Sequence, residues 1–504
     1  MDNENIIKKN KNKIYNILLV IFIFLVIFGT VMVDGTTDLD EIWNYNFARN
    51  IAEGKVPYKD FNMVQTPLLS IICAVFLKIL GNELIVMRFL AGILLTIIFF
   101  ISYKILNKLL GENLWKVSLT IVFLLLFSFL DIFAIDYNYA VLLIALILTL
   151  VELNRLEKEE NILSFSFKYD FLIGLTAGIG ILFKQSTGLV VAIACMGYKI
   201  FSIRKKEDII EFLKIAEVRF LGIIVPCIMF LIYLICNNAL NDFWDYAILG
   251  MSTFSNKKSY INLFSETWYV RILAILVPIA IAIMFVKIFV DKKDSKILIL
   301  FAYSISSFVV VYPIADKIHF MIGSLITIIG IVYLLKNLLV RFNLKINANC
   351  ISWLFIWVFV TLLIVIIVYI YYYISANKTE LAHFNYIPND ENFIEGIVEV
   401  DNYITQKNEE GYEVYILDFT AAIYMIPLDK YNKNYDMFLK GNLGSEGEQG
   451  IIENFKNENE NTIYLIRSDV FSNNWQTPFD VLSYIRSNFT MLDEEIYIFE
   501  AFVK

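Results

Sequence analysis

Histidine, cysteine and proline are sparse, with two, five and eight residues in a chain of 504, and only 18% of the residues are charged. The cysteines (Cys73, Cys195, Cys227, Cys236 and Cys350) lie in or beside apolar segments. No Cys-x-x-Cys pair and no cysteine–histidine spacing suits zinc, so neither a disulfide framework nor a zinc site is expected. Glycine supplies no phosphate loop either. "GNLGSEG" does not sit between a strand and a helix in the dinucleotide pattern, and no loop offers another nucleotide-binding segment. The formal net charge is −8, and nucleic acid is not an expected partner.

What the chain has instead is hydrocarbon. Hydrophobic residues make up 58% of it, with 42 Phe and 29 Tyr, well beyond the usual soluble share. This is the composition of a polytopic membrane protein, with membrane lipids as neighbours. The charge is unevenly divided. Residues 374–504 hold 9 Lys/Arg against 23 Asp/Glu, and the remainder is net basic. Two domains in different compartments are therefore expected: a membrane domain over 1–373 and an acidic one over 374–504.

Apolar runs oriented by Lys and Arg predict about 11 transmembrane helices, near 14–33, 85–103, 117–133, 138–152, 170–183, 187–201, 218–236, 269–286, 297–311, 320–335 and 351–373. The leader "KKNKNK" places the N-terminus in the cytoplasm of a cell whose plasma membrane the chain spans, and the C-terminal domain outside. No small-residue cleavage site follows the first span, so it is expected to be retained. The apolar run from Pro67 to Leu80 is shorter than the roughly 20 residues a span needs and reads as interfacial or re-entrant. With that choice, basic loops fall on one side. The polar clusters "DLDE", "DYN", "KQ" and "ADKIH" then gather on the other, which points to a site rather than a pore.

The first outer loop, Val33 to Leu69, is rich in acid. Asp40 and Glu41 open a helix on which Trp43, Phe47 and Ile51 recur at i, i+4 and i+8. The helix is expected to lie in the membrane interface, with Asp40 at the end where the helix dipole favours a carboxylate. A plain helix cap is the other reading of Asp40. Pro67 suits the start of a second short helix, and Asp60 falls in the turn between the two, where a solvated turn residue is the plain reading. Arg88, Lys184, Lys317 and His319 mark the outer ends of spans. Lys184 follows a glycine-rich helix and also reads as a snorkelling lysine. His319 also reads as structural, and Arg88 as a partner for Glu83. The loop 237–268 carries Trp244, Tyr246, Phe254 and Tyr260, rings that suit a sugar or carrier groove and equally any interfacial loop.

These motifs together resemble a family. An Asp-Glu pair in the first loop is followed by an aromatic-rich helix with Ala-Arg, by Gly-x-x-Pro-Tyr-x-Asp and by x-Thr-Pro-Leu. "ILGNELIVMRFLAGIL", "GLTAGIGILFKQSTGL" and "YPIADKIHF" come later in matching order. Over roughly residues 14–340 the chain resembles the GT-C membrane glycosyltransferases, specifically the branch of protein mannosyltransferase-like and aminoarabinose-transferase-like enzymes. The resemblance implies an all-α polytopic membrane bundle with interfacial helices in the first outer loop. It implies inverting transfer of a sugar from a polyprenyl-phosphate donor to a hydroxyl of an extracytoplasmic glycan, lipid or protein. Asp40 is then the general base and Glu41 its support. Lys184, Arg88, Lys317 and His319 face the donor phosphate, and Asp60, Asp136, Tyr137, Asn138 and Gln185 line the substrate. A divalent ion, Mg or Mn, between Asp40 and Asp136 stays open, because members of the superfamily differ in metal need. Asp38 forms D-x-D with Asp40 but is not equated with the metal-binding D-x-D of nucleotide-sugar enzymes. The chemistry is consistent with these roles: a partly desolvated carboxylate gains basicity, and cations stabilise a departing phosphate.

The C-terminal part reads as a small extracytoplasmic α/β domain. "EVYILDF", "NTIYLIR" and "EEIYIFEAF" read as strands, and "NFIEGIVEVDNYITQ", "GEQGIIENFK" and "TPFDVLSYIRSNF" as helices. Two other functions stay in view: a lipid-linked sugar transporter, and a non-catalytic glycolipid-binding or assembly protein. Transporters carry charge at mid-span and internal repeats. The spans here read as nearly free of charge, and no repeat is visible.

Overall fold

The computed structural model describes residues 3–35, 39–253, 258–291, 294–344, 347–432, 435–457, 461–468 and 477–504. Asp38 and Phe254 lie outside them. The regular structure among the described residues is helical except for one four-stranded sheet near the C-terminus. The chain divides into two compact units: Met1–Val31 with Phe89–Met229 and Lys258–Ile374, and Met32–Arg88 with Phe230–Lys257 and Ser375–Lys504. The sequence suggests a single cut near 373; in the structure the first loop and residues 230–257 are grouped with the C-terminal stretch.

In the first unit every expected span is a helix: α1 (Asn3–Val31), α4 (Leu84–Leu110, from Phe89 on), α5 (Trp115–Phe129), α6 (Tyr137–Glu159), α7 (Phe167–Phe183), α8 (Gln185–Gly197), α9 (Lys206–Cys236, to Met229), α11 (Trp268–Val290), α12 (Ser295–Phe308), α13 (Lys317–Arg341) and α14 (Ala348–Ser375). Among the described residues, eight helices are long and apolar enough to cross a membrane; α7, α8 and α12 are not among them. At 1.5 Å per residue, the 13 residues of α8 rise only about 20 Å against a hydrocarbon layer of about 30 Å. A 3-10 turn, Tyr198–Ser202, extends it.

Polar contacts sort the helix ends of this unit into two sets. Lys104 on α4 bonds Asn16 on α1 at 2.9 Å, and Lys116 on α5 bonds Ser352 on α14 at 3.1 Å. Lys108 pairs with Glu157 on α6, and Lys336 on α13 donates to the Leu109 carbonyl at 2.7 Å. At the opposite ends, Lys184 after α7 meets Asn138 on α6, Lys317 on α13 meets Asp131 after α5, and Tyr269 on α11 meets the Ser128 carbonyl.

Charge gathers where the expected spans end. Glu152, Arg155, Asp170, Lys199 and Arg219 are buried together, because each finds a partner of opposite sign that offsets its loss of water.

In the second unit, α2 (Leu39–Ala52) is buried from Glu41 to Asn50. The stripe of Trp43 and Phe47, which the sequence assigns to the membrane interface, packs here against Tyr58, Phe61, Met63, Leu234, Ala239, Ala247 and Leu439. α3 (Leu68–Leu80) has 13 residues, too few to span, as expected. The sheet has the order β1-β2-β4-β3, with β1 (Glu413–Ile416) parallel to β2 (Thr462–Arg467) and the other pairs antiparallel. The run expected as one strand, "EEIYIFEAF", is a hairpin of β3 (Thr490–Ile496) and β4 (Phe499–Val503). It reverses at Tyr497, whose φ of +53° suits a tight turn. The helices α15 (Glu391–Glu409), α17 (Gly447–Asn457) and α18 (Phe479–Asn488) match the expected ones. They complete the α/β domain around Tyr415, Tyr464, Phe455 and Phe502.

Candidate functional site

In the second unit the acidic loop is organised by one arginine. Asp40 lies in the first turn of α2 and is half-buried, and its carbonyl accepts a bond from the Asn44 side chain at 2.7 Å. Glu41, the next residue, is buried and ion-paired with the wholly buried Arg88. Arg88 Nε donates to Glu41 Oε1 at 3.2 Å and Nη2 to Oε2 at 2.9 Å. Nη1 donates to the Asp34 carbonyl at 2.6 Å, and Nη2 also to the Gly35 carbonyl at 2.9 Å. One planar guanidinium therefore holds both flanks of the segment that ends in Asp40, a task suited to the fixed fork of arginine. With Nε, Nη1 and Nη2 all engaged, Arg88 stands as a brace of the loop. Its partner is Glu41, not Glu83, which bonds Asn385. Asp60 is exposed, and its Oδ2 accepts the Val56 N–H at 2.7 Å, closing the turn before α3.

The C-terminal domain bonds α2 from its other sides. Trp43 Nε1 donates to the Phe419 carbonyl at 3.0 Å, and Arg49 donates to the carbonyls of Ile426 and Lys430 at 3.1 and 2.8 Å. Asn62 donates to the Asn442 carbonyl at 3.1 Å. Local periodicity gives no sign of these partners, which are more than 370 residues away in the chain.

In the first unit a second polar group surrounds Asp136. This residue caps α6: its Oδ1 accepts the Asn138 N–H at 2.6 Å, while Oδ2 is buried without a hydrogen-bond partner. Burial pushes the Asp136 carboxyl up, with the charges of Lys184 and His319 acting against that rise. Lys184 Nζ donates to Asn138 Oδ1 at 2.8 Å and lies 4.9 Å from the centre of the Tyr137 ring. Lys184 is the extended residue between α7 and α8, and Gln185 is the first residue of α8. The two helices fold back closely enough that a Cβ at Gly188 would lie 2.2 Å from the Gly180 carbonyl. Glycine at 180 and 188 lets the two backbones touch.

His319 lies in the first turn of α13. Asp316 caps that helix, accepting the His319 N–H at 2.9 Å and facing its Nδ1 at 2.8 Å. Burial alone would raise the Asp316 carboxyl, but the His319 ring and N–H hold it below the usual range. The sequence analysis does not name Asp316; its place three residues before a span-end histidine is the signal that marks it. Lys317 pairs with Asp131 and lies 5.4 Å from the centre of the Tyr269 ring.

Thus Asp136, Tyr137, Asn138, Lys184 and His319 belong to one unit, and Asp40, Glu41, Asp60 and Arg88 to the other. Among the described residues, no group of three or more His, Cys, Asp or Glu side chains could hold a metal ion. Around Asp136 the charged neighbours are Lys184 and His319, a set that suits an anion better than Mg or Mn.

This architecture defines a class: a polytopic helical membrane protein with a small C-terminal α/β domain. Two crystal structures, both of ArnT from Cupriavidus metallidurans, are similar to it over nearly their whole length. The apo form matches with a TM-score of 0.56 at 11% identity, covering 98% of this chain and 98% of that one. The form bound to undecaprenyl phosphate matches with a TM-score of 0.53 at 11% identity, covering 97% and 98%. No family model matches the chain, and no curated protein matches it in sequence.

Proposed function

We propose that the protein transfers a sugar from a polyprenyl-phosphate donor to a hydroxyl of an acceptor outside the cytoplasm, with inversion. The observation that carries this reading is the fold, shared end to end with a protein whose crystal structure holds undecaprenyl phosphate. In the reaction, Asp40 takes the proton of the acceptor hydroxyl as its oxygen attacks the anomeric carbon. The bond from that carbon to the phosphate oxygen breaks, and its electron pair leaves with the lipid phosphate. Lys184 and His319 neutralise that charge, with Asp136, Tyr137, Asn138 and Gln185 setting the position of Lys184 and the sugar. Arg88 and Glu41 hold the Asp40 loop; the bonds of Arg88 support this role over phosphate binding. Lys317 is held by Asp131 and contributes charge at longer range. Asp60 shapes the loop. The N-terminus lies in the cytoplasm and the C-terminal domain outside.

The test is to incubate the full-length protein in lipid nanodiscs with a panel of radiolabelled polyprenyl-phosphate sugars and to measure release of the lipid phosphate. Turnover should appear with at least one donor. Asp40→Asn should lower kcat by about 10³-fold or more while donor binding persists. Absence of turnover across the panel, or full turnover by Asp40→Asn, refutes the reading.

A further inference from the structure

Among the described residues, most of the buried charge in the first unit is gathered at one place, and its centre is Arg219 on α9. The residue is fully buried. Its Nε donates to Asp170 Oδ1 at 3.0 Å, its Nη1 to the Cys195 carbonyl at 2.8 Å, and its Nη2 stands 2.6 Å from Glu152 Oε1. Asp170 lies in the first turn of α7, and Cys195 lies in the last turn of α8. One guanidinium thus holds the free ends of both arms of the hairpin whose closed end is Lys184. Neighbours complete the grip. Arg155 on α6 contacts Asp170 through two nitrogens, at 2.8 and 3.1 Å, and Lys199 stands 3.7 Å from Glu152.

The hairpin has no slack along its length. A Cβ at Gly174 on α7 would lie 2.0 Å from the Arg219 carbonyl oxygen, and one at Gly178 would lie 2.6 Å from the Ile223 carbonyl oxygen. A Cβ at Gly222 on α9 would lie 2.3 Å from the Phe171 carbonyl oxygen, and Gly188 meets Gly180 as described. Backbones in direct contact transmit a displacement instead of absorbing it.

We infer that Arg219 is a positioning residue: by fixing both roots of the α7–α8 hairpin, it holds Lys184 against Asn138 and Tyr137. The hydrogen bonds and close contacts carry this inference by themselves. Its consequence for turnover rests on the reading of Lys184 as a donor-phosphate group.

The test substitutes Arg219→Lys in the full-length protein in nanodiscs. Lysine keeps the charge that Glu152 and Asp170 need, but a single ammonium cannot reach both carboxylates and the Cys195 carbonyl with the geometry of the fork. The readout is competitive amine acylation, followed by mass spectrometry at Lys184 with Lys317 as internal reference. Lys184 should react at least about fivefold faster than in the wild type while Lys317 stays unchanged. An unchanged Lys184 rate in the folded variant overturns the inference. Should Arg219→Lys fail to fold, the charge-balanced pair Asp170→Asn with Arg219→Gln is read by the same ratio and the same criteria. In an active preparation, the KM for the donor should rise about fivefold with a smaller change in kcat. Faster labelling with an unchanged KM supports the positioning and removes Lys184 from the donor phosphate.

Discussion

Glu41 and Arg88 show how much a single contact decides at the scale of residues. Both are buried ions, and breaking such a pair leaves an uncompensated charge away from water, which costs about 3–5 kcal/mol. Arg88→Met should therefore lower the unfolding midpoint by several degrees in a thermal scan. Arg88→Lys should fold and yet lose about tenfold or more in kcat, because one ammonium cannot hold Glu41 and the carbonyls of Asp34 and Gly35 together. Equal kcat for Arg88→Lys and the wild type would remove the brace from the mechanism. Asp401 on α15 gives a pH dependence. Burial raises its carboxyl from 3.8 to about 7, with Lys430 acting against the rise. A raised carboxyl favours the protonated native state, so its share of stability is complete below about pH 4 and lost as pH rises towards 7. Asp401→Asn should melt higher than the wild type at pH 8 and equally at pH 4; a gap of the same size at both values contradicts this.

At the scale of elements, the α7–α8 hairpin is tightly constrained, with backbone close against backbone at Gly174 and Gly188. Its arms read from the sequence as two short spans, but hydrophobicity does not say how two arms shorter than a bilayer are held. Glycine does that, by letting backbones touch. A methyl group at Gly188 would overlap the Gly180 carbonyl, and overpacking of this kind costs about 1–3 kcal/mol. Gly188→Ala should reduce thermal stability and slow turnover, whereas Gly197→Ala, where nothing lies within 4 Å of the added atom, should do neither. Similar losses from both substitutions would show that packing at the hairpin is not limiting. α2 differs in kind. Its stripe of Trp43 and Phe47 is legible as an apolar face, but protein and not membrane covers it.

At the scale of the whole molecule, the grouping of segments has a consequence for truncation. Residues 375–504 share a compact unit with the loop that carries Asp40. Their loss would uncover Trp43 and leave Arg49, a buried cation, without the carbonyls of Ile426 and Lys430. A chain ending at 374 should insert in the membrane yet show no turnover and increased aggregation by size-exclusion chromatography. Normal turnover by that truncated chain would show that the α/β domain is a separable appendage. The orientation can be checked independently. A cysteine introduced at position 40 should react with an impermeant thiol reagent applied to intact cells, and one at 206 should not.

Much of the element pattern is legible without the structure: the order of the apolar helices, the run from Pro67 to Leu80 that is too short to span, the mixed helix-and-strand character of the C-terminal stretch, and the acid at the head of α2. These are local properties, set by run length, periodicity and the residues at helix ends. Packing alone sets the pairing of Arg88 with Glu41, the joining of the hairpin roots by Arg219, and the grouping of the first loop with residues 375–504. The physical reason is that each depends on a polar group finding its partner away from water, across separations that reach 381 residues. Such pairings form only when the packed chain brings the two groups together.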